Sequence, residues 1–218
     1  MMNGVCAATR RMAAGVAAIA YLCVAIVSIA SERSPADLPI LARDYVTYEA
    51  LMEHMRARNP SVDPIYVRFL HRAYAAATAR EGVSMLVALA QMVHETGALA
   101  FGGSVRASQY NFAGLGAVSD TAPGLSFANM QTGVLAHVQH LKAYATTGPL
   151  QTDLVNPRFH LVRRGSAPTV TGLTGTWATD PLYAEKVLAH AASLSRLSVE
   201  RVSSGRPSGR PPGAVGAD

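Results

Sequence analysis

The sequence predicts a mostly α-helical domain with one glycine-rich, weakly β lobe, preceded by an N-terminal signal or anchor helix. Three observations carry this. Helical periodicity recurs in five segments between positions 48 and 197. Glycines gather at 97, 102, 103, 114, 116 and 124, with Pro123 among them, too many turn formers for a helix. Finally, Ala13 to Ala30 is an uninterrupted run of apolar or small residues behind Arg10 and Arg11.

That run reads in two ways. Residues 1–30 are either a secretory signal cleaved after Ser28-Ile29-Ala30, or a single transmembrane anchor through residues 13–30 with the two arginines cytoplasmic. Both readings export the remainder, to the periplasm or the cell surface. Cys6 and Cys23 fall inside this leader, and Ala20-Tyr21-Leu22 ahead of Cys23 does not resemble a lipoprotein cleavage site. The exported part therefore has no disulfide to rely on and must be held by its core. Residues 31–45, with Pro35 and Pro39, read as a linker, and residues 199–218 as a disordered tail of mainly Ser, Gly, Pro and Arg. Between them, 46–198 is long enough for one core.

Between residues 46 and 197 there are 12 Lys and Arg against 9 Asp and Glu, a balance of +3. No basic patch with interleaved aromatics is visible, so nucleic acid is not an expected partner. The mild positive balance suits an anionic polymer such as a bacterial wall. Arg163-Arg164 is the only basic doublet of the domain and reads as solvated surface.

The helices follow in order. Tyr48–Arg58 is amphipathic and stops at Asn59-Pro60. Asp63-Pro64 is an N-cap with proline at the first helical position, and Ile65, Val67, Phe69, Leu70, Ala73, Tyr74 and Ala77 carry that helix to about Arg80, with Gly82 as its C-cap. From Val83 to Val93 only Ser84 and Gln91 interrupt an apolar run, which marks a buried helix. In the lobe after it, Val105, Tyr110, Phe112 and Leu115 are candidates for short strands. Asn129–Ala145 is the fourth helix. Residues 154–168 read as a loop around Asn156-Pro157-Arg158-Phe159, and Asp180-Pro181 opens the last helix, Leu182 to Leu197.

The buried helix ends in Glu95, just before Gly97. Burial disfavours the charged form of a carboxyl group, and the negative end of a helix dipole repels an anion. Both effects raise its pKa, as a general acid near neutral pH requires. The competing reading is a helix end that emerges into solvent; flexible glycine-rich loops beside a rigid carboxylate favour a cleft. Tyr110, Phe112, Trp177 and Tyr183 are aromatics near loops and suit stacking on sugar rings, although ordinary half-buried packing is the stronger reading of any single one. A zinc protease helix would need a second histidine where Ala98 stands. His137 and His140, three apart, lack further ligands and read as half-exposed, so neither a metal nor a cofactor is expected. No Gly-x-Ser-x-Gly elbow occurs.

Several ordered motifs point further. His94-Glu95-Thr96-Gly97, Phe101-Gly102-Gly103 and Tyr110 through Ala117 (YNFAGLGA) are followed by Gly133 through Tyr144 (GVLAHVQHLKAY), Asn156-Pro157-Arg158-Phe159 and Leu173 through Lys186 (LTGTWATDPLYAEK). Over roughly residues 65–195 this resembles the bacterial glucosaminidases of glycoside hydrolase family 73. The resemblance implies a lysozyme-like α+β fold with a small β lobe, and hydrolysis of the β-1,4 bond on the reducing side of N-acetylglucosamine in peptidoglycan glycan strands. It places Glu95 on the catalytic acid, Tyr110, Asn111 and Phe112 on the motif lining the sugar cleft, and Trp177 and Tyr183 on the segment closing its far side. Family members often carry a second acidic residue in the mobile lobe, and between Gly97 and Phe127 only Asp120 is available. Inverting, retaining and substrate-assisted routes all stay open. A lytic transglycosylase on the same fold and a catalytically weak peptidoglycan-binding module are the rival readings.

Overall fold

The computed structural model describes residues 37–103, 105–119 and 122–203. The leader 1–30, Asp120 and the tail beyond Ser203 lie outside the described residues. Five α-helices are present among them: α1 (Tyr48–Arg56), α2 (Pro64–Glu81), α3 (Met85–Thr96), α4 (Met130–Ala145) and α5 (Tyr183–Ser203). No helix among the described residues is long and apolar enough to cross a membrane.

Local chemistry sets the helix ends. Thr47, Asp63, Ser84 and Asn129 each accept a backbone N–H of the first turn, from Ala50, Ile65, Val87 and Thr132 respectively. Each such cap stabilises its helix by about 1 kcal/mol. Gly82 and Gly97 end α2 and α3 in the left-handed conformation, at φ of 70° and 56°. The turn after Gly97 continues with Ala98, Leu99 and Phe101 at positive φ, where side chains are disfavoured. Asn59 Nδ2, donating to the Ala98 carbonyl, helps to hold it.

Helix α3 is the core element, packed between α2, α4 and α5, while α1 packs on α2 and α5. Val87, Ala88, Leu89, Ala90, Met92 and Val93 are buried all round, as the apolar run predicts. On α2 the buried face is Val67, Leu70, Tyr74 and Ala77, whereas Ile65 and Phe69, expected to face the core, are exposed. They lie four apart and about 100° per residue carries both off the buried stripe.

The residues expected as a linker are part of the packed body from Asp37 onward. Ile40 is fully buried, its N–H donates to the Pro168 carbonyl, and its carbonyl accepts from Ser84. Asp44 accepts from the Ser84 hydroxyl and the Leu86 N–H. Pro39 lies in an extended strap here rather than in a free linker. The glycine-rich lobe is weakly β, but at other residues than expected. Its two-stranded antiparallel hairpin is β1 (Ala117–Ser119) with β2 (Ala122–Pro123), and Ala107–Gln109 is a 3-10 turn.

A buried ion pair ties α2 to α4. Lys142 Nζ donates to Glu81 Oε2 at 2.8 Å, and Glu81 also accepts from the Gln151 N–H and the Thr152 hydroxyl. Burial alone would raise the Glu81 pKa, but these partners bring it below the usual value. Arg164 is likewise not plain surface: its guanidinium caps the Thr146 and Gly148 carbonyls and lies over the Phe159 ring, while Arg163 is exposed.

Candidate active site

Glu95 closes the last turn of α3 and is half-buried. Its Oε1 accepts two hydrogen bonds, from the Tyr183 hydroxyl at 2.5 Å and from Trp177 Nε1 at 3.0 Å. Its Oε2 points to the lobe, where a Cβ at Gly114 would stand 3.5 Å from it. Gly114 lies at φ +63°, so glycine both supplies that turn and leaves the space open. Burial raises the Glu95 pKa and outweighs the two donors, which pull it down. No other carboxylate among the described residues acts on it. The result is a carboxyl group whose neutral form is more favoured than in a free glutamate, with Oε1 engaged by two donors and Oε2 beside Gly114.

Tyr183 sits at the start of α5 and is buried. Burial and the neighbouring Glu95 raise its pKa far above the ordinary phenol value, so its hydroxyl remains a donor. Trp177 comes from the loop ahead of α5, whose Thr174–Ala178 turn is closed by backbone bonds to Leu173 and Ala178. Its indole ring packs among His137, His140 and Tyr144, at centroid distances of 6.0, 5.1 and 5.7 Å. The Tyr144 hydroxyl donates to the Thr176 carbonyl and holds the loop on α4.

The sequence-predicted residues divide. Glu95, Trp177 and Tyr183 come together around one carboxyl group. Tyr110 is partly exposed at φ 49°, with its carbonyl against α4, where a Cβ at Gly133 would meet it at 1.8 Å. Asn111 and Phe112, expected to line the sugar cleft, are instead buried. Asn111 Nδ2 donates to the Leu115 and Leu125 carbonyls and its Oδ1 accepts from the Leu115 N–H. With both Nδ2 protons engaged and the side chain enclosed, Asn111 does not reach a sugar, and Phe112 has no open face. They shape the lobe from inside. Tyr183 and Trp177 meet Glu95 through their polar atoms rather than as stacking rings alone.

Other parts of the site escaped the sequence reading. His137 and His140, expected half-exposed, are buried, because α4 is enclosed by α2, α3 and the Trp177 loop. Burial brings their pKa values down to about 3 and about 4, the second aided by the Arg158 charge. Asn156 Nδ2 donates to His140 Nδ1, and Gln139 binds four groups of the 152–156 loop, placing the Asn156-Pro157-Arg158-Phe159 segment beside α4. Gln91, fully buried, donates to Tyr183. A polar residue interrupting an otherwise apolar helix one turn before Glu95 was the available signal.

A mostly helical body with a small two-stranded lobe beside a half-buried carboxyl group is consistent with a lysozyme-like fold, and the class it defines is glycoside hydrolase. The family model for glucosaminidase, described as mannosyl-glycoprotein endo-beta-N-acetylglucosaminidase, matches residues 71–196, and the chain belongs to that family, glycoside hydrolase family 73. A stretch of 148 residues is 43% identical to an uncharacterized protein of Borreliella burgdorferi, covering 68% of this chain and 72% of that one. No solved structure matches the chain. The protein is therefore a peptidoglycan hydrolase of the glucosaminidase kind.

Proposed function

We propose that this protein is an exported enzyme that cleaves the β-1,4 bond on the reducing side of N-acetylglucosamine, with Glu95 as general acid. The observation that carries this is the asymmetry of the Glu95 carboxyl group: Oε1 is occupied by Tyr183 and Trp177, while Oε2 faces the glycine-rich lobe. A neutral acid there carries its proton on Oε2. That proton passes to the glycosidic oxygen as the bond to the anomeric carbon breaks, and the leaving sugar departs as an alcohol. Water then supplies hydroxide to the anomeric carbon and its second proton restores the acid–base pair.

The second catalytic group in this reading is Asp120 in the lobe, or the acetamido oxygen of the substrate itself. Tyr110 and Trp177 flank the sugar. Export through residues 1–30, to the periplasm or cell surface, brings the enzyme to its polymer, and residues 13–30 hold it at the membrane if they are retained.

Product analysis tests the reaction. Digestion of purified peptidoglycan, followed by reduction and mass spectrometry, yields products ending in reduced N-acetylglucosamine if this assignment holds. Anhydro-muramic acid ends would replace it with a lytic transglycosylase. Binding to the wall with no release of fragments would replace it with a binding module.

A further inference from the structure

Behind Tyr183 runs a buried chain of hydrogen bonds. Gln91 Nε2 donates to the Tyr183 hydroxyl at 2.6 Å, Gln91 Oε1 and His137 Nε2 are 2.8 Å apart, and His137 Nδ1 and the Tyr74 hydroxyl are 2.8 Å apart. Gln91, His137 and Tyr74 are fully buried and come from α3, α4 and α2. Burial holds His137 neutral, with a pKa of about 3. Each link has one proton to give in one direction, so the direction of any link fixes the next.

The chain has two self-consistent senses. In one, Tyr74 donates to His137 Nδ1, His137 Nε2–H to Gln91 Oε1, Gln91 to the Tyr183 oxygen, and Tyr183 to Glu95. The other requires the Gln91 amide to turn over, so that its oxygen accepts from Tyr183, its nitrogen donates to His137 Nε2, and His137 Nδ1–H donates to the Tyr74 oxygen. The Gln91 amide decides between them: with Nε2 on Tyr183 and Oε1 on His137, only the first sense is possible, and the far end agrees. In the reversed sense the Tyr74 hydroxyl would accept from His137 and its own proton would need a new acceptor; the Tyr66 hydroxyl, which acts on Tyr74 and is itself buried, makes no hydrogen bond to it. An unmade hydrogen bond in a fully buried site is unfavourable. At the near end Trp177 Nε1–H can only donate, so Oε1 receives two donors in the first sense.

We propose that Tyr74, His137 and Gln91 are positioning residues that fix the direction of the Tyr183 hydroxyl proton, and so keep the acid proton of Glu95 on Oε2. The inference rests on the reading of Glu95 as general acid. In the reversed sense Oε1 would be protonated toward the Tyr183 oxygen, and the proton would point into the protein instead of toward the substrate. The other titratable groups around this centre are His94, edge-on to Tyr183, with His190, Asp180 and Lys186 beyond it, His140 and Tyr144 around Trp177, with Arg158 near both, and Tyr66 beside Tyr74. None of them interrupts the chain.

Carbon-13 labelling of glutamate carboxyl groups gives the test, read by NMR on the full chain without substrate and compared with the pH profile of kcat. Gln91→Met removes the donor to Tyr183, and Tyr74→Phe removes one oxygen at the far end. Loss of the chain weakens the Tyr183 donor, since linked hydrogen bonds strengthen one another. The Glu95 titration then moves up by a few tenths of a pH unit in both variants, more in Gln91→Met. The alkaline limb of kcat moves with it, kcat falls about tenfold, and KM stays unchanged. A Glu95 titration and alkaline limb that stay in place in both variants, with only thermal stability lost, would overturn the proposal. Should Gln91→Met not fold, Tyr74→Phe alone decides. Because the titration is read without turnover, retained activity in Glu95→Gln would overturn the acid assignment separately, while an unmoved titration overturns the chain.

Discussion

The Tyr183 hydroxyl donates to Glu95 Oε1 at 2.5 Å, and the two residues reach each other from the end of one helix and the start of another, 88 positions apart in sequence. This bond opposes the burial that raises the Glu95 pKa.

Tyr183→Phe removes that opposition. The Glu95 pKa rises further, because the ionised carboxylate loses a charge-assisted hydrogen bond. A general acid works while protonated, so activity is lost as pH rises through its pKa, and raising the pKa moves the alkaline limb to higher pH. The pH dependence of kcat on soluble glycan fragments checks both the direction and an accompanying loss of about tenfold.

Gly133→Ala places a methyl group where the Tyr110 carbonyl already stands, 1.8 Å away. Backbone cannot yield as a flexible side chain does, so the variant loses about 3 kcal/mol of stability or displaces the 107–112 segment. Thermal melting detects the first, and faster amide exchange around Tyr110 the second.

Lys142→Met leaves Glu81 buried without its ammonium partner and costs about 3–5 kcal/mol, of which a second change, Glu81→Gln, restores part. The Glu81 pKa is lowered in the folded state. Its stabilising contribution is therefore fully present above the unfolded carboxyl pKa and is lost as pH falls through the folded one. Melting temperatures measured from pH 7 down to pH 3 show that fall in the wild type and a shallower one in the double variant.

The buried histidines add a second acid sensitivity. His54, His140 and His190 have pKa values lowered to about 4 and His137 to about 3, chiefly by burial. Below the ordinary histidine value of about 6.5 the unfolded chain takes up protons that the folded one refuses, so stability declines as pH falls from there toward the folded values. Denaturation at pH 7 and pH 5 measures the loss. A fold equally stable at both would contradict this account of the histidines.

Much of the fold was legible because helices announce themselves locally. Asp63-Pro64 with Gly82, and the apolar run into Glu95, place α2 and α3 within a few residues of where they lie. What stayed hidden depends on long-range contact. Ile40 is buried by Pro168 and Ser84, far along the chain, and nothing in Pro35 or Pro39 reveals that. His137 looks like any surface histidine until α2 and α3 close over it. At the site, Glu95 stood out as a carboxylate ending an apolar helix, whereas Asn111 and Phe112 share a motif with Tyr110 yet face the interior. A motif gives proximity to a site without saying which side chains reach it.

The most direct measurement is the turnover of purified peptidoglycan by Glu95→Gln, which keeps the shape of the side chain and removes its transferable proton. Folding is verified by melting, and products are counted by mass spectrometry. If Glu95 is the general acid, the variant folds and its release of fragments ending in N-acetylglucosamine falls by at least about a hundredfold. Release at the wild-type rate from the folded variant would contradict it.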